Sequence, residues 1–542
     1  MPGSRPQTTH APTPTWMMVG AACVAVCASI PVLYTVLRGV QAIGSTYAPN
    51  VPFLISLGWN TIGYGILAAG IAGVIGTAQA LLLERTNIRF RALLRVLVCL
   101  PFVIPPYISA LCFLAFLRPR GIFEKWLVTN DIVAFGQLPF DAIFGIFGSA
   151  FVLGICLSPY VYFPVSATIH QESGHYDEMA KLHGVDFWRR QLTITLPKLA
   201  PASGGGMMLV LLYALADFGV PALLRLPTFS TAIYARFAGD VDRAGAALLS
   251  MPLMAITVML LLTQDRLFGH GVTQVSRSWT PPRIVSLGTY APLSYGAMGV
   301  AILLSIGIPV GMLLYWIASP MSPAEQASVI AIPQLATITA QTIGFSLLIS
   351  LWVITAAVVC ARVLRQGGFW GYLWGRIAQT GYALPGIVVA LSVVLVTTRV
   401  IPIHLGGLIP LALALFIRFI PQAIQGIDVA MLQITPTIED AGRSMGHTVY
   451  RVLRHLIVPL SAPGIQTTWA LIFLGLLKEL PATLILRPAG FDTLAVRVWM
   501  PTSDGFTAAA AMPAFIIILC ACIPFTFIMR SQRRIKQSNR PL

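Results

Sequence analysis

Long apolar runs recur along the whole chain, and they limit its possible folds more than any other feature. Examples are Trp16 to Leu37, Ala142 to Ile169 and Ala508 to Phe527. A helix needs about 20 mostly apolar residues to cross the hydrocarbon core of a bilayer. Only 10% of the 542 residues are charged, whereas roughly a quarter are charged in an average soluble domain. The sequence therefore predicts an all-α polytopic membrane helix bundle. The runs do not alternate as the strands of a membrane β-barrel do.

The apolar runs predict about twelve transmembrane helices and an orientation for them. The spans lie near residues 16–37, 57–83, 93–116, 142–169, 200–222, 246–264, 292–317, 342–364, 374–398, 405–428, 464–486 and 508–529. An even number places both termini on one side. The segments on that side hold 23 of the 35 lysines and arginines, against 10 on the other side. Because basic residues are retained in the cytoplasm during insertion, we expect both termini to be cytoplasmic.

The two halves of the chain repeat each other in sequence. Asn60–Gly63 matches Gln341–Gly344 at an offset of 281, whereas Phe229 matches Phe491 at an offset of 262. The first half therefore holds 19 extra residues, which we place in the outer loop 118–140. The predicted organisation is a cytoplasmic tail 1–15, a first half 16–268 with core 57–264, a linker 269–290, a second half 291–529 with core 342–529, and a basic tail 530–542. Such parallel repeats can enclose a path between them.

One motif occurs in an equivalent cytoplasmic loop of each half. The loop after the fourth span reads Glu178-Met-Ala-Lys-Leu-His-Gly184, then nine residues, then Ile194-Thr-Leu-Pro197. The loop after the tenth span reads Asp440-Ala-Gly-Arg-Ser-Met-Gly446, then nine residues, then Leu456-Ile-Val-Pro459. Both resemble the coupling motif of binding-protein-dependent ABC importer permeases, written EAA, three residues, Gly, nine residues and I-x-LP. The first copy departs only at Met179, and the second is looser.

The residue types in these loops suit a short helix that docks onto a separate ATPase. An acidic residue near the helix start complements the helix dipole, and small residues allow a partner to approach closely. Glycine allows a turn that a side chain would obstruct, and proline is favoured in the first turn of the helix that follows. The candidate coupling residues are Glu178, Ala180, Gly184, Leu196 and Pro197 in the first loop and Asp440, Ala441, Gly446 and Pro459 in the second.

The resemblance also implies partners. The sequence has no Gly-x-x-x-x-Gly-Lys-Ser/Thr phosphate loop, so ATP hydrolysis is expected on another subunit and the chain is not expected to be an enzyme. The family resemblance implies two copies of an ABC ATPase on the cytoplasmic face and a periplasmic or extracellular solute-binding protein. It also implies a multi-pass location in the bacterial inner membrane. We expect no cofactor bound by this chain and no nucleic-acid partner.

Two further segments point to a substrate. Leu477–Trp499 resembles the fused permeases of the ferric iron importer family, and Ala216–Pro221 with Phe229–Tyr234 fits the same family. The resemblance covers residues 57–529 and implies ferric iron as the substrate. Related permeases for thiamine, phosphonate or polyamine share this architecture and remain open. A secondary transporter driven by an ion gradient is the alternative from another class, but it needs no docking loops.

Asp217 and Glu479 occupy equivalent positions of the repeat, at an offset of 262. Ionisable groups at membrane depth usually face a partner or a water-filled path. The pair is therefore a candidate for the pathway or its gate. In the alternative interpretation each is a structural group near the end of a span, with Glu479 paired to Arg418. The spans offer no convergent set of carboxylates, so we predict no metal site and expect the external binding protein to select the substrate.

Overall fold

A computed structural model describes residues 14–43, 50–119, 121–134, 136, 140–171, 183, 187–239, 242–268, 284–319, 323–366, 368–399, 407–432, 434 and 436–538. Across these residues the regular secondary structure is helical, and the one β-bridge pairs Thr86 with Val285. The prediction of an all-α bundle is confirmed.

The α-helices of the first sequence half are α1 Thr15–Ala42, α2 Val51–Arg85, α3 Arg91–Cys99, α4 Pro106–Leu117, α5 Ile122–Thr129, α6 Gly145–Cys156, α7 Ser158–Gln171, α8 Phe187–Arg190, α9 Leu196–Ala216, α10 Gly219–Leu223, α11 Phe229–Tyr234 and α12 Arg243–Phe268. Those of the second half are α13 Ala291–Ile302, α14 Ile308–Ala318, α15 Pro323–Ser328, α16 Ile332–Gln366, α17 Gly368–Ala378, α18 Gly386–Arg399, α19 Ile409–Leu432, α20 Pro436–Ser444, α21 Val449–Val452, α22 Val458–Leu477, α23 Pro481–Leu486, α24 Leu494–Ser503 and α25 Ala511–Ser538. Short 3₁₀ or π segments join several of them.

In the described part of the chain, nine helical stretches are long and apolar enough to cross a membrane, or 11 if each of two bent pairs is one span. The pairs are Arg91–Phe102 with Pro106–Thr129, bent by 93°, and Gly145–Cys156 with Ser158–His170, bent by 43°. They lie at the third and fourth predicted spans. The ninth predicted span, 374–398, falls on α17 and α18, and only a short stretch of it, Gly386–Thr397, is apolar helix.

Prolines account for two of these breaks. A residue that precedes proline is pushed out of the helical region by the proline ring. Pro105, which precedes Pro106, has ψ 132°, and Leu384, which precedes Pro385, has ψ 120°. Pro105 and Pro385 are equivalent in the repeat. A proline therefore interrupts the third span of each half at nearly the same place, Pro106 in the first half and Pro385 in the second.

The helices form two compact units, each assembled from distant parts of the sequence. One unit comprises Met1–Val40, Ala340–Phe491 and Ile523–Gln537. Inside it, Thr35 Oγ1 of α1 donates a hydrogen bond to Ser392 Oγ of α18 at 2.6 Å. The first helix of the chain thus packs mainly with the second repeat.

The other unit comprises Gln41–Thr339, Asp492–Cys522 and Ser538–Leu542. Here glycines bring helix backbones close together. A Cβ on Gly154 of α6 would lie 2.8 Å from the carbonyl oxygen of Ala68 in α2. One on Gly206 of α9 would lie 2.8 Å from the carbonyl oxygen of Tyr160 in α7. Small residues at helix contacts are typical of membrane bundles, because they allow this close approach.

Candidate functional site

Most of the first coupling loop lies outside the described residues, including Glu178, Ala180 and Gly184. At its end, Leu196 is partly exposed and Pro197 lies in the first turn of α9. The coupling role of all five residues of this loop stays a prediction.

The second coupling loop forms the helix α20, which has an inner and an outer face. Asp440 and Ala441 are exposed, as is Ser444 one turn later. Gly442 is buried, and a Cβ at this position would lie 2.7 Å from Cδ1 of Leu456. Our sequence interpretation assigned the small residues of the motif to contact with a partner. In this copy, the small residue at position 442 instead lets α20 pack against the chain's own following helix.

Gly446 ends this helix. Its φ of 79° lies in the left-handed region, which glycine adopts without steric cost. Its N–H donates to the carbonyl oxygen of Arg443 at 2.8 Å, which satisfies one of the last carbonyl groups of α20. The expectation that glycine permits a turn here agrees with this geometry. The next helix starts two residues later at Thr448, whose hydroxyl accepts from the N–H of Arg451.

The two motif prolines have the same local structure in both repeats. The π segments Gln191–Thr195 and Leu453–Ile457 precede Pro197 and Pro459 at identical spacing. A proline has no N–H for the carbonyl group one turn earlier, and its ring crowds that group. In membrane helices, local π adjustments can re-satisfy the backbone groups that a proline frees. Both prolines occupy the first turn of an α-helix, but that helix continues the π segment without a break, so the span begins before the proline.

Sequence reasoning missed two residues that hold α20 in place. The carboxylate of Glu439 receives two hydrogen bonds from the guanidinium group of Arg362, and the one from Nη1 to Oε2 is 2.7 Å long. The two side chains are only 6% and 10% exposed. The sequence signal that could have found Glu439 is its position three residues before Gly442, which places both on the same face of a short helix. Its partner at the end of α16 could not be identified from sequence spacing.

In the other unit, a buried carboxylate joins three helices just before the first coupling loop. Glu84, near the end of α2, accepts hydrogen bonds from Tyr162 Oη at 3.0 Å and Ser166 Oγ at 3.1 Å, both on α7. The guanidinium group of Arg95 on α3 donates to it as well, through Nε at 3.0 Å. His170 Nε2, at the end of α7, lies 2.9 Å from Glu84 Oε2. The helix that leads into the first coupling loop is thereby fixed to α2.

Asp217 and Glu479 lie at equivalent breaks of the spans. Asp217 follows α9, and its Oδ2 accepts a hydrogen bond from the N–H of Val220 at the start of α10, at 3.2 Å. Glu479 follows α22, and its Oε1 accepts from the N–H of Ala482 at the start of α23, at 3.4 Å. Each carboxylate therefore binds the first turn of the short helix beyond the break, where the helix dipole favours negative charge.

The two carboxylates differ in their other partners. Tyr64 Oη donates to Asp217 Oδ2 at 3.1 Å. Arg418 Nε donates to Glu479 Oε2 at 3.0 Å. The repeat places Phe345 at the position of Tyr64 and Cys156 at the position of Arg418. The Arg418 pairing considered from the sequence is present, whereas the sequence did not suggest Tyr64.

Aromatic rings from both repeats meet beside Asp217. The ring of Phe218 lies 4.6 Å from that of Tyr234 and 5.0 Å from that of Trp499, centroid to centroid. Trp499 belongs to α24 of the second repeat, which is part of the same compact unit as Phe218. Among the residues that the structure describes, no group of three His, Cys, Asp or Glu side chains is placed to hold a metal ion.

Comparison with known proteins gives one family match and several relatives. Residues 353–538 match the family described as binding-protein-dependent transport system inner membrane component. The chain is 27% identical over 528 residues to the Fe(3+)-transport system permease protein FbpB 2 of Haemophilus influenzae, covering 94% of this chain and 97% of that protein. It is 21% identical over 518 residues to the ferric transport system permease protein FbpB of Actinobacillus pleuropneumoniae, covering 89% and 73%.

A shorter match involves the sulfate transport system permease protein CysW of Escherichia coli, 26% identical over 216 residues, which is 39% of this chain and 70% of that protein. No solved structure matches the chain. The family match includes the helix α20 and the break at Glu479, and the longest similarity runs through both repeats. Residues 353–538 therefore carry a binding-protein-dependent transport system inner membrane component domain, and the chain as a whole, which is similar to ferric iron transport permeases, is a multi-pass membrane transport permease.

Proposed function

We propose that this chain is the permease subunit of an ATP-driven ABC importer and that its substrate is ferric iron. The substrate assignment rests on the similarity to a Fe(3+)-transport permease over 94% of this chain and 97% of that relative. A likeness confined to one repeat would support only the general architecture. A likeness over both repeats includes the segments around Asp217 and around Glu479.

The coupling loops support the ATP-driven part of the proposal. The outer face of α20 exposes Asp440 and Ala441, while Gly446 fixes the turn that ends the helix. Two copies of an ABC ATPase would dock in the cytoplasm, one per loop, and use the ATP. A solute-binding protein would deliver substrate from the opposite side. Both termini would then be cytoplasmic, in a bacterial inner membrane, and the chain would bind no cofactor of its own.

The region around Asp217 is our candidate for the gate. Asp217 lies at a break in its span, and beside it Phe218 contacts Trp499 of the second repeat. Large aromatic rings from both repeats can close a path between them, and a nearby carboxylate favours a cation over an anion. Glu479 occupies the equivalent break, but its charge is opposed by Arg418. We therefore assign Glu479 to a structural role at its own break and Asp217 to contact with the passing ion.

The substrate is tested by uptake of radiolabelled ferric iron in cells with and without this chain, supplied with its ATPase and binding protein. We expect ATP-dependent iron uptake only when the chain is present. Thiamine, putrescine, a phosphonate and sulfate are measured in parallel. Uptake of one of these without iron uptake contradicts the substrate assignment. Uptake that persists without ATP but collapses with the ion gradient would indicate a secondary transporter.

An anion is the second candidate substrate, because the sulfate transport permease matches 39% of this chain. This match spans 216 residues, which is less than half of the chain. It therefore supports the second candidate more weakly than the full-length relatives support iron. The sulfate arm of the uptake experiment decides between them.

A further inference from the structure

The ion pair between Arg362 and Glu439 is buried, although Glu439 belongs to the second coupling loop. Both oxygens of Glu439 are engaged by the two terminal nitrogens of Arg362. Their side chains are 6% and 10% exposed. Two parallel hydrogen bonds between planar groups fix orientation as well as distance. Because the loss of either partner would leave a buried charge, the contact resists rotation of the helix that carries it.

The position of Glu439 in α20 determines which face of this helix points outward. Glu439 and Gly442 lie three residues apart, on one face, and both are buried. Asp440, Ala441 and Ser444 lie on the opposite face and are exposed. A nine-residue helix is too short to keep its orientation by itself. Its orientation must come from the contacts of its inner face.

A second ion pair ties the same end of α16 to the helix that leads into α20. Arg365, one turn after Arg362, has its Nε 2.8 Å from Oδ1 of Asp428 on α19. Arg362 and Arg365 are three residues apart, so they share one face of α16. The end of the 35-residue helix α16 is thus joined both to α20 and to α19, the helix that precedes α20.

The repeat supplies an internal comparison for these contacts. Residues 84 and 166 correspond to 365 and 428, at offsets of 281 and 262. Ser166 and Glu84 also form a hydrogen bond, at 3.1 Å, so the same place in the fold is joined in both repeats with different chemistry. Arg362 has no such counterpart, because residue 81 is leucine. The ion pair with Glu439 is therefore a feature of the second repeat.

We propose that Arg362 is the positioning residue of the second coupling helix and that its ion pair with Glu439 holds Asp440, Ala441 and Ser444 toward the ATPase. This inference rests on the proposed coupling function. The second copy of the motif is the looser one. The ion pair sets the orientation of this helix, which explains how the looser copy can still serve as a docking surface. The ion pair also transmits movement, since α16 is a span and α20 is the contact with the ATPase.

The test uses the complete transporter, with ATPase and binding protein, in proteoliposomes. The variants are Arg362→Gln, Glu439→Gln, Arg362→Lys and the exchanged pair Arg362→Glu with Glu439→Arg. The matched control is Arg376→Gln, which changes an exposed arginine of α17 that lies over the ring of Tyr372. The measured quantities are the ATPase rate stimulated by loaded binding protein, the KM for ATP, and the melting temperature.

We expect both glutamine variants to lower the stimulated rate roughly tenfold with an unchanged KM for ATP, since the nucleotide site is on another subunit. Arg362→Lys keeps the charge but loses the paired hydrogen bonds, so its rate should be intermediate. The exchanged pair should recover most of the rate, and Arg376→Gln should equal the wild type. A purely structural role would make the rate follow the melting temperature in every variant, including the exchanged pair.

Two results overturn the inference. One is a wild-type stimulated rate in Arg362→Gln and Glu439→Gln, and the other is an exchanged pair that melts like the wild type but is no faster than the single variants. The combined Gly184→Asp and Gly446→Asp variant distinguishes failure of the positioning role from failure of the proposed function. If that variant releases the ATPase while Arg362→Gln has no effect, only the positioning role is wrong. If the ATPase stays bound to it, the coupling loops themselves are misassigned.

Discussion

Arg418 and Glu479 form an ion pair with 3.0 Å between Nε and Oε2, at the break where the span α22 ends. The side chain of Glu479 is 6% exposed and that of Arg418 is 21% exposed. A charge at this depth is stable only with a partner. The pair therefore gives Glu479 a structural function at the position where Asp217 lies in the other repeat.

Removal of either partner should destabilise the protein. Arg418→Ala removes the cationic partner of the buried Glu479. We expect the free energy of unfolding in detergent to fall by about 2 kcal/mol, less than the roughly 3–5 kcal/mol typical of a fully buried pair, because Arg418 is partly exposed. The double variant Arg418→Met with Glu479→Leu should recover most of this loss. A double-mutant cycle on chemical unfolding measures the coupling. A coupling energy near zero would show that the pair contributes nothing.

Asp217 should matter for transport more than for folding. Asp217→Asn keeps an oxygen that can accept hydrogen bonds from Tyr64 and from the N–H of Val220, but it removes the negative charge. We expect a melting temperature close to that of the wild type and a clear decrease in ATP-driven iron uptake. Tyr64→Phe is the control, because it removes one hydrogen bond, worth about 1 kcal/mol, and keeps the carboxylate.

The pathway hypothesis also has a strict test. If Asp217→Asn and Glu479→Gln together leave ATP-driven uptake unchanged, neither carboxylate belongs to the path or its gate.

Much of the architecture was predictable from the sequence because it depends on local patterns. Apolar runs of the length of a bilayer identify spans, and the repeat relates Pro105 to Pro385 and hence the two breaks in the helices. Fold class and family follow from such features. The turn at Gly446 was predictable for the same reason, since glycine is the residue that tolerates its backbone conformation.

Contacts between distant segments were not predictable in this way. Nothing in the spacing of Arg362 and Glu439 indicates that α16 ends beside α20. The grouping of α1 with the second repeat depends on packing such as that of Thr35 with Ser392, and sequence periodicity does not specify a packing partner. The continuous helices through Pro197 and Pro459 were also missed, because a π turn before a proline has no reliable sequence signal.

Trp499 should help to keep the gate closed. Trp499→Ala removes a large ring that contacts Phe218, and we expect the basal ATPase rate without binding protein to rise several-fold, because the closed state loses a contact worth about 1 kcal/mol or more. Trp469→Ala is a suitable control, since this ring stacks on Phe473 within the other compact unit. A basal rate that rises equally in both variants would mean that general loosening, and not the gate, is responsible.

Gly446 should be required for coupling through its backbone conformation. A side chain at φ 79° costs roughly 1 kcal/mol or more, so Gly446→Ala should shift the end of α20 and weaken retention of the ATPase during purification. Gly505→Ala is a matched control, because Gly505 has a φ of 87° and open space around its Cα, in the loop after α24. Both variants introduce the same kind of strain and should lower the melting temperature by similar amounts. Only Gly446→Ala should lower the amount of ATPase that co-purifies. Equal loss of the ATPase in both variants would show that strain alone, and not the geometry of the coupling loop, determines the interaction.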